Sequence, residues 1–367
     1  MSNPLIGLEG LPPFSKIKPE YVVPALKDGI ELCRKAIDDV LAKGSYTWDD
    51  LVLPLEEADD KLSRMFSPVS HLNSVMNNDE LREAYEQCLP LISEYSTFVG
   101  QHQGLYNAYN TLYNSDEFKT LTTAQQKTIT NALRDFKLSG IALAPEQQKR
   151  YGEISARLSE LASKFGNNVM DATLAWHKHI TDESDLAGLP ESALALAADT
   201  AKSKELDGWL FTLDFPSYLP IMAYADNREL RRETYTAFST RASDQGPNAG
   251  EFDNSDIMRE ELALRHELAQ LLGFNSYAEK SLAPKMAESP EQVFSFLEDL
   301  AAKSKPQAEQ EVAELKAYAE QKHGISELEA WDFGYYSEKL KQEKYAISDE
   351  VLRPYFPANK VLSGLFE

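Results

Sequence analysis

The stretch that decides the fold runs from Tyr21 to Gly44 and reads YVVPALKDGIELCRKAIDDVLAKG. Its apolar side chains recur at steps of three and four residues: Val23, Leu26, Ile30, Cys33 and Ile37. An α-helix has 3.6 residues per turn, so this spacing places them on one face. Glycine readily adopts the left-handed conformation that ends many helices. The stretch therefore predicts an amphipathic helix that ends at Gly44.

Helical spacing continues through most of the chain. The first 20 residues are rich in Pro and Gly and predict an extended lead-in. Further helices are predicted at Leu51–Met65 (with Pro68 just past the end), Leu81–Val99, Leu105–Leu112, Asn131–Leu138, Ile154–Val169, Pro190–Lys204, after the candidate N-cap Asn254 up to Gly273, and from Ser289-Pro290 onward. Helices joined by short polar turns predict an antiparallel helical bundle.

Two short segments interrupt the helical pattern. Apolar and polar residues alternate through Leu174–Ile180, and Trp209–Asp214 is rich in β-forming residues between Gly208 and Pro216. These segments predict a minor two-stranded β element near 174–180 and 209–214. The fold class predicted from the pattern is thus all-α, mainly helical, with one small sheet.

Composition limits the classes of partner. The 367 residues contain 37 Lys plus Arg and 59 Asp plus Glu, a formal charge of −22. Such a field repels phosphate backbones and anionic lipids, so we expect no nucleic-acid and no membrane partner. The N-terminus lacks the basic and apolar pattern of a signal peptide. The cysteines, Cys33 and Cys88, lack a CxxC spacing, and we expect reduced thiols in a cytoplasmic protein.

No complete catalytic motif is present in the sequence. His266-Glu267-Leu268-Ala269-Gln270 resembles the zinc motif HExxH, but Gln270 occupies the position of the second histidine. His177 and His179 would lie on one strand face, without an evident third ligand. GxSxG and the phosphate-binding glycine motifs are missing. We therefore predict no catalytic and no metal-binding residue, and the substrate-binding residues stay unknown.

Three further segments allow a structural or a functional interpretation. Asp59-Asp60 is predicted to lie on a solvated helix face. Thr240–Gly250 is a polar loop, either a binding element or a simple helix connection. Trp331–Tyr336, with the Lys339, Lys341 and Tyr345 that follow, could hold a peptide backbone through its hydroxyls or serve aromatic packing.

Several longer strings resemble one protein family. They are Leu11–Phe14, Phe66–Val75, Ser239–Gly250, Leu262–Phe274 and Tyr335–Lys339. In these strings, and over essentially the whole chain, the sequence resembles the thimet oligopeptidase-like zinc metallopeptidases. The resemblance implies an almost entirely helical, zincin-like peptidase whose two lobes flank a channel that admits short peptides. It also implies one zinc ion, held by an HExxH helix and a further Glu, with the motif Glu as general base.

In that family the zinc helix, the third ligand and the oxyanion donors follow the point at which this chain ends. The resemblance therefore implies a truncated N-terminal lobe, to which we assign no zinc and no turnover, with the C-terminal half of the peptidase as its missing partner. The implied divisions are a lead-in (1–28), an N-terminal helical domain (29–153), a connecting helix with the β element (154–224) and the start of the catalytic domain (225–367). Without the missing half, Leu264, Leu268, Leu271 and the last segment are expected to expose apolar surface.

Two alternatives to the front half of a cytosolic oligopeptidase stay open. One is a free-standing helical interaction protein without catalytic activity. The other is an enzyme with its own carboxylate site.

Overall fold

The computed structural model describes residues 3–367; Met1 and Ser2, the start of the predicted lead-in, lie outside the described residues. The α-helices are α1 (Pro19–Lys43), α2 (Leu53–Val75), α3 (Asp79–Gly100), α4 (Gln103–Tyr113), α5 (Thr123–Leu138), α6 (Pro145–Ala175), α7 (Glu191–Ser203), α8 (Phe215–Tyr224), α9 (Arg228–Ser239), α10 (Ser255–Leu271), α11 (Tyr277–Leu282), α12 (Pro290–His323), α13 (Phe333–Tyr345), α14 (Asp349–Leu352) and α15 (Ala358–Phe366). The strands are β1 (His177–Ile180) and β2 (Trp209–Thr212). The predicted fold class is confirmed.

The chain forms two compact units. Unit 1 comprises the residues up to Lys164 together with Ile257–Val293, and unit 2 comprises Phe165–Asp256 together with Phe294–Glu367. The contributions alternate along the chain, so neither unit is a single continuous segment.

In unit 1 the apolar face of α1 lies in the core, as the sequence predicts. Leu26, Cys33 and Ile37 of the predicted stripe are each 2% exposed, and Gly44 follows the helix in the left-handed conformation with φ +67°. The α1 backbone approaches α2 closely, since a Cβ at Gly29 would lie 2.7 Å from Leu62 Cδ1. Helices α1–α5 enclose two apolar clusters, whose completely buried members include Leu5, Leu51, Val52, Cys88, Ala108, Leu112 and Ile129. Both cysteines are free and buried.

Some helix boundaries differ from the predicted ones. The prediction that α2 ends before Pro68 is wrong, because the helix continues to Val75 with Pro68 inside it and buried. A proline inside a helix removes one backbone hydrogen bond, and here the packing of its buried side chain offsets that loss. Helix α5 begins at Thr123 rather than Asn131, since Thr122 and Gln125 form a reciprocal capping box.

Helix α10 packs beside the first half of α6 through two bidentate ion pairs. Arg157 donates to Glu260 at 2.6 and 2.8 Å, and Arg150 donates to Glu267 at the same distances. The expectation that Leu268 would be exposed is wrong, because it is 4% exposed. The chain's last segment does expose apolar surface, with Leu365 75% and Phe366 88% exposed.

In unit 2 the two strands pair antiparallel, with His177 opposite Thr212 and Ile180 opposite Trp209. The first strand is shorter than predicted, because α6 continues through Leu174 and Ala175. Gly208 leads into β2 with φ +88°, and a Cβ there would lie 2.5 Å from the Ile180 carbonyl oxygen. This close approach requires glycine. The sheet packs with α7 and α8 around Phe211 and Ile221. Within the described residues, no helix has the length and apolarity that crossing a membrane requires.

Candidate functional site

The Trp331–Tyr336 stretch forms the start of α13 and carries a fully buried carboxylate, Asp332. Two arginines from α9 hold it. Arg228 donates from Nη2 to Oδ2 at 2.6 Å, and Arg231 donates from Nη2 to Oδ1 at 2.8 Å. The Glu329 amide donates to the same Oδ2 at 3.0 Å. Burial would raise the pKa of this carboxyl, but the hydrogen bonds from both arginines outweigh it and lower the pKa.

Arg231 is as buried as its partner, with 1% of the side chain exposed. Its Nη1 donates to the Ala225 carbonyl at 2.7 Å, and its Nε donates to the Trp331 carbonyl at 3.3 Å. The guanidinium also lies 4.1 Å from the centre of the Tyr335 ring. A buried arginine is retained in proteins where its fixed donors are satisfied in this way.

A second carboxylate, that of Asp226, lies beside the Asp332–arginine contacts. The Tyr335 hydroxyl donates to Asp226 Oδ1 at 2.7 Å, and Lys339 Nζ lies 3.4 Å from the same oxygen. Partial burial would raise the pKa of Asp226, whereas Tyr335 and Lys339 lower it below the ordinary value. We call Asp226, Arg228, Arg231, Asp332, Tyr335 and Lys339 the arginine–carboxylate cluster. It joins α9 to α13 within unit 2.

An open groove of about 500 Å³ lies between α7, α8 and α13. Its wall contains Phe215 and Leu219, which are 60% and 48% exposed. Charged side chains, including Glu350 and Arg353, border it, and Ser192 Oγ donates to Glu350 Oε2 at 3.0 Å. A concave apolar surface with a few charges at its edge can accept an apolar side chain and orient the groups beside it.

The near-miss zinc motif makes structural contacts. His266 is exposed, and Glu267 pairs with Arg150. Gln270 donates from Nε2 to the carbonyls of Phe274 and Asn275 at 3.1 and 3.0 Å. Gln270 therefore binds the turn that follows α10.

The strand histidines and the polar loop Thr240–Gly250 also make structural contacts. His177 and His179 both lie on the exposed face of β1, and His179 Nε2 lies 2.6 Å from the Asp207 carbonyl oxygen. The loop Thr240–Gly250 connects α9 to α10 and is held by its own contacts, such as Gly250 N to Ser243 O at 3.1 Å. Arg241 at its start donates to Thr173 Oγ1 at 2.8 Å.

Among the side chains that the structure describes, no group of three or more His, Cys, Asp or Glu is arranged to hold a metal ion. The carboxylates that do converge, such as Asp226 and Asp332, contact cationic side chains. The side chains that the structure describes thus do not fit a catalytic zinc ion.

The comparisons with known proteins agree with the strings found in the sequence. The family model for the N-terminal domain of neurolysin and thimet oligopeptidase matches residues 27–148, and the model for peptidase family M3 matches residues 221–367. The resemblance to the thimet oligopeptidase-like metallopeptidases is confirmed. The arginine–carboxylate cluster lies wholly within the region that the M3 model matches.

Curated relatives extend the match to the full chain. Oligopeptidase A of Salmonella typhimurium and that of Escherichia coli are each 62% identical over the whole chain, which covers 54% of either relative. Oligopeptidase A of Haemophilus influenzae is 61% identical, again over the whole chain and 54% of its own length. The chain thus spans about half the length of the curated relatives it matches.

Sequence reasoning singled out Trp331–Tyr336 but missed its partners Asp226, Arg228 and Arg231. The local signal is weak, because Arg228 and Arg231 are three residues apart on a helix that also carries Arg232 and two glutamates. Such a pattern usually indicates a solvated face. Their partner Asp332 is about 100 residues away along the chain.

Proposed function

We propose that residues 1–367 form the N-terminal half of a zinc-dependent oligopeptidase that hydrolyses internal bonds of short peptides. One observation carries the proposal: the full chain is 62% identical to oligopeptidase A and covers 54% of it. The match to the M3 family model over 221–367 supports the same reaction class.

The zinc ligands and the general base come, in this proposal, from the part of the peptidase that the relatives possess and this chain does not span. Residues 1–367 supply the helical framework, and on their own they cleave no peptide. Among the side chains that the structure describes, the converging carboxylates of Asp226 and Asp332 pair with cations, and no three-ligand group occurs.

The domain division at 1–28, 29–153, 154–224 and 225–367 belongs to this proposal. So do a cytoplasmic location and short peptides, cleaved signal peptides among them, as substrates. Free, buried cysteines support a reducing compartment.

The test compares two proteins in a quenched-fluorescent peptide assay with added zinc. One is the 367-residue chain, and the other is the same chain joined to the C-terminal part of Salmonella oligopeptidase A. We expect no turnover by the first and chelator-sensitive turnover by the second. Zinc-dependent cleavage by the 367-residue chain alone would refute its proposed inactivity and would favour a site of its own. A folded fusion without turnover would refute the peptidase and favour the interaction protein.

A further inference from the structure

A second concave site lies in unit 1 and has no place in the proposed peptidase function. It is an open cavity of about 370 Å³ between helices α1 to α5. This volume falls within the range of small-molecule sites. Its wall combines the rings of Tyr95, Tyr109 and Phe136 with the carboxylates of Glu56, Asp59 and Asp135.

The charged side chains that line the cavity are all acidic. Among the described residues that line the cavity there is no Lys, Arg or His. Two arginines lie nearby: Arg134 pairs with the wall carboxylate of Asp135 at 2.8 Å, and Arg34 lies 3.4 Å from Glu94 with its guanidinium over the rings of Phe98 and Tyr95. Glu56 and Asp59, three residues apart on α2, place their carboxylates at the cavity, and neither forms an ion pair within the part of the chain that the structure describes.

The Tyr109 hydroxyl supplies a polar group at the cavity wall. The Tyr109 residue is 7% exposed and lines the cavity, and its hydroxyl makes no hydrogen bond to any residue that the structure describes. The hydroxyl is accessible from the cavity rather than enclosed in the core, so a ligand in the cavity can bond to it. Burial raises the pKa of this phenol, and the negative charges of Glu56 and Asp59 raise it further.

We infer that this cavity binds a small organic cation, an ammonium or guanidinium carried on an apolar stem. The carboxylates of Glu56 and Asp59 neutralise the charge, the faces of the tyrosine rings attract it, and the Tyr109 hydroxyl oxygen accepts a hydrogen bond from its N–H. Burial, together with the charge of Asp60, also raises the pKa of Asp59, as expected of a carboxylate that lacks a cation.

The test titrates the 367-residue chain with cadaverine by isothermal calorimetry. The uncharged isostere 1,5-pentanediol and the anion glutarate serve as controls. We expect saturable one-to-one binding of cadaverine with a dissociation constant of about 1 mM or lower, and no binding of either control. Failure to saturate, or equal binding of pentanediol, would overturn the inference.

Three variants locate the site. Asp59→Asn should weaken cadaverine binding about tenfold, the effect of one charge-assisted contact. Tyr109→Phe should weaken it by a smaller factor while leaving the ring in place. Asp60→Asn is the matched control, because Asp60 carries the same charge beside Asp59 but pairs with Arg64 and does not line the cavity. Equal effects of the two aspartate changes would show a general surface attraction and would sink the proposal.

Discussion

Two aspartates in this protein lie in opposite electrostatic environments. Asp332 in unit 2 is completely buried and contacts two arginines, and its pKa is lowered. Asp59 in unit 1 is exposed at the cavity mouth beside Tyr95 and Tyr109, and its pKa is raised by partial burial and by Asp60. Depth of burial therefore does not decide which carboxyl keeps its charge. The decisive difference is whether a cation lies within hydrogen-bonding distance.

The two aspartates also differ in what they contribute to the stability of the fold. The buried carboxylate joins α9 to α13, so its loss leaves the buried Arg231 without the carboxylate that pairs with it. The cavity carboxylate joins nothing in the described structure. Removing the charge of Asp332 should damage the fold, whereas removing the charge of Asp59 should not.

The largest effect is expected for Asp332→Asn. The change leaves the buried Arg231 without its charge partner, which costs about 3–5 kcal/mol in the free energy of unfolding. Urea unfolding followed by tryptophan fluorescence measures it, since Trp176, Trp209 and Trp331 all belong to unit 2. Asp299→Asn, which removes an exposed partner of Lys303, is the matched control and should stay within about 0.5 kcal/mol. Similar losses for both variants would show that burial of the ion pair is unimportant.

The pH dependence tests the sign of the Asp332 contribution. Its folded pKa is lowered, so the stabilisation is complete above the unfolded value of about 3.9 and is lost as the pH falls through the folded value. The stability difference between the native chain and Asp332→Asn should thus stay constant from pH 7 to about 5 and shrink below about pH 4. A difference that shrinks between pH 7 and 5 would contradict the lowered pKa.

A smaller effect is expected for Tyr335→Phe. The change removes the hydroxyl that donates to Asp226 but keeps the ring beneath Arg231. Loss of one hydrogen bond to a charged group costs about 1.5–3 kcal/mol, again measured by urea unfolding. Tyr345→Phe on the same helix, where the side chain is 67% exposed, should leave stability unchanged. If Tyr335→Phe matched that control, the Asp226 contact would contribute nothing.

The two regions differ in how far the sequence predicts them. The α1 stripe through Cys33 and Ile37 was predictable, because helical periodicity is local and survives folding. The interior Pro68 and the helical Leu174 were not, since tertiary packing outweighed the local signals. Arg231 and Asp332 lie about 100 residues apart, so no local pattern joins them. Asp59 was correctly placed on an exposed helix face, but the cavity beside it depends on Tyr95 and Tyr109 from two other helices.

The smallest effect, and the opposite sign, is expected for Asp59→Asn. A carboxyl whose folded pKa is raised gives its full stabilisation below the unfolded pKa and loses it as the pH rises through the folded value. At pH 7 the native chain therefore holds a charge that its surroundings disfavour, and the amide should raise stability slightly, by about 0.5 kcal/mol or less. Urea unfolding followed by circular dichroism at pH 7 and pH 4 measures it, and the gain should disappear at the lower pH. Asp60→Asn, which breaks the pair with Arg64, should not raise stability at either pH. A loss of stability for Asp59→Asn at pH 7 would mean that a cation already stabilises this carboxylate, and the contrast with Asp332 would fail.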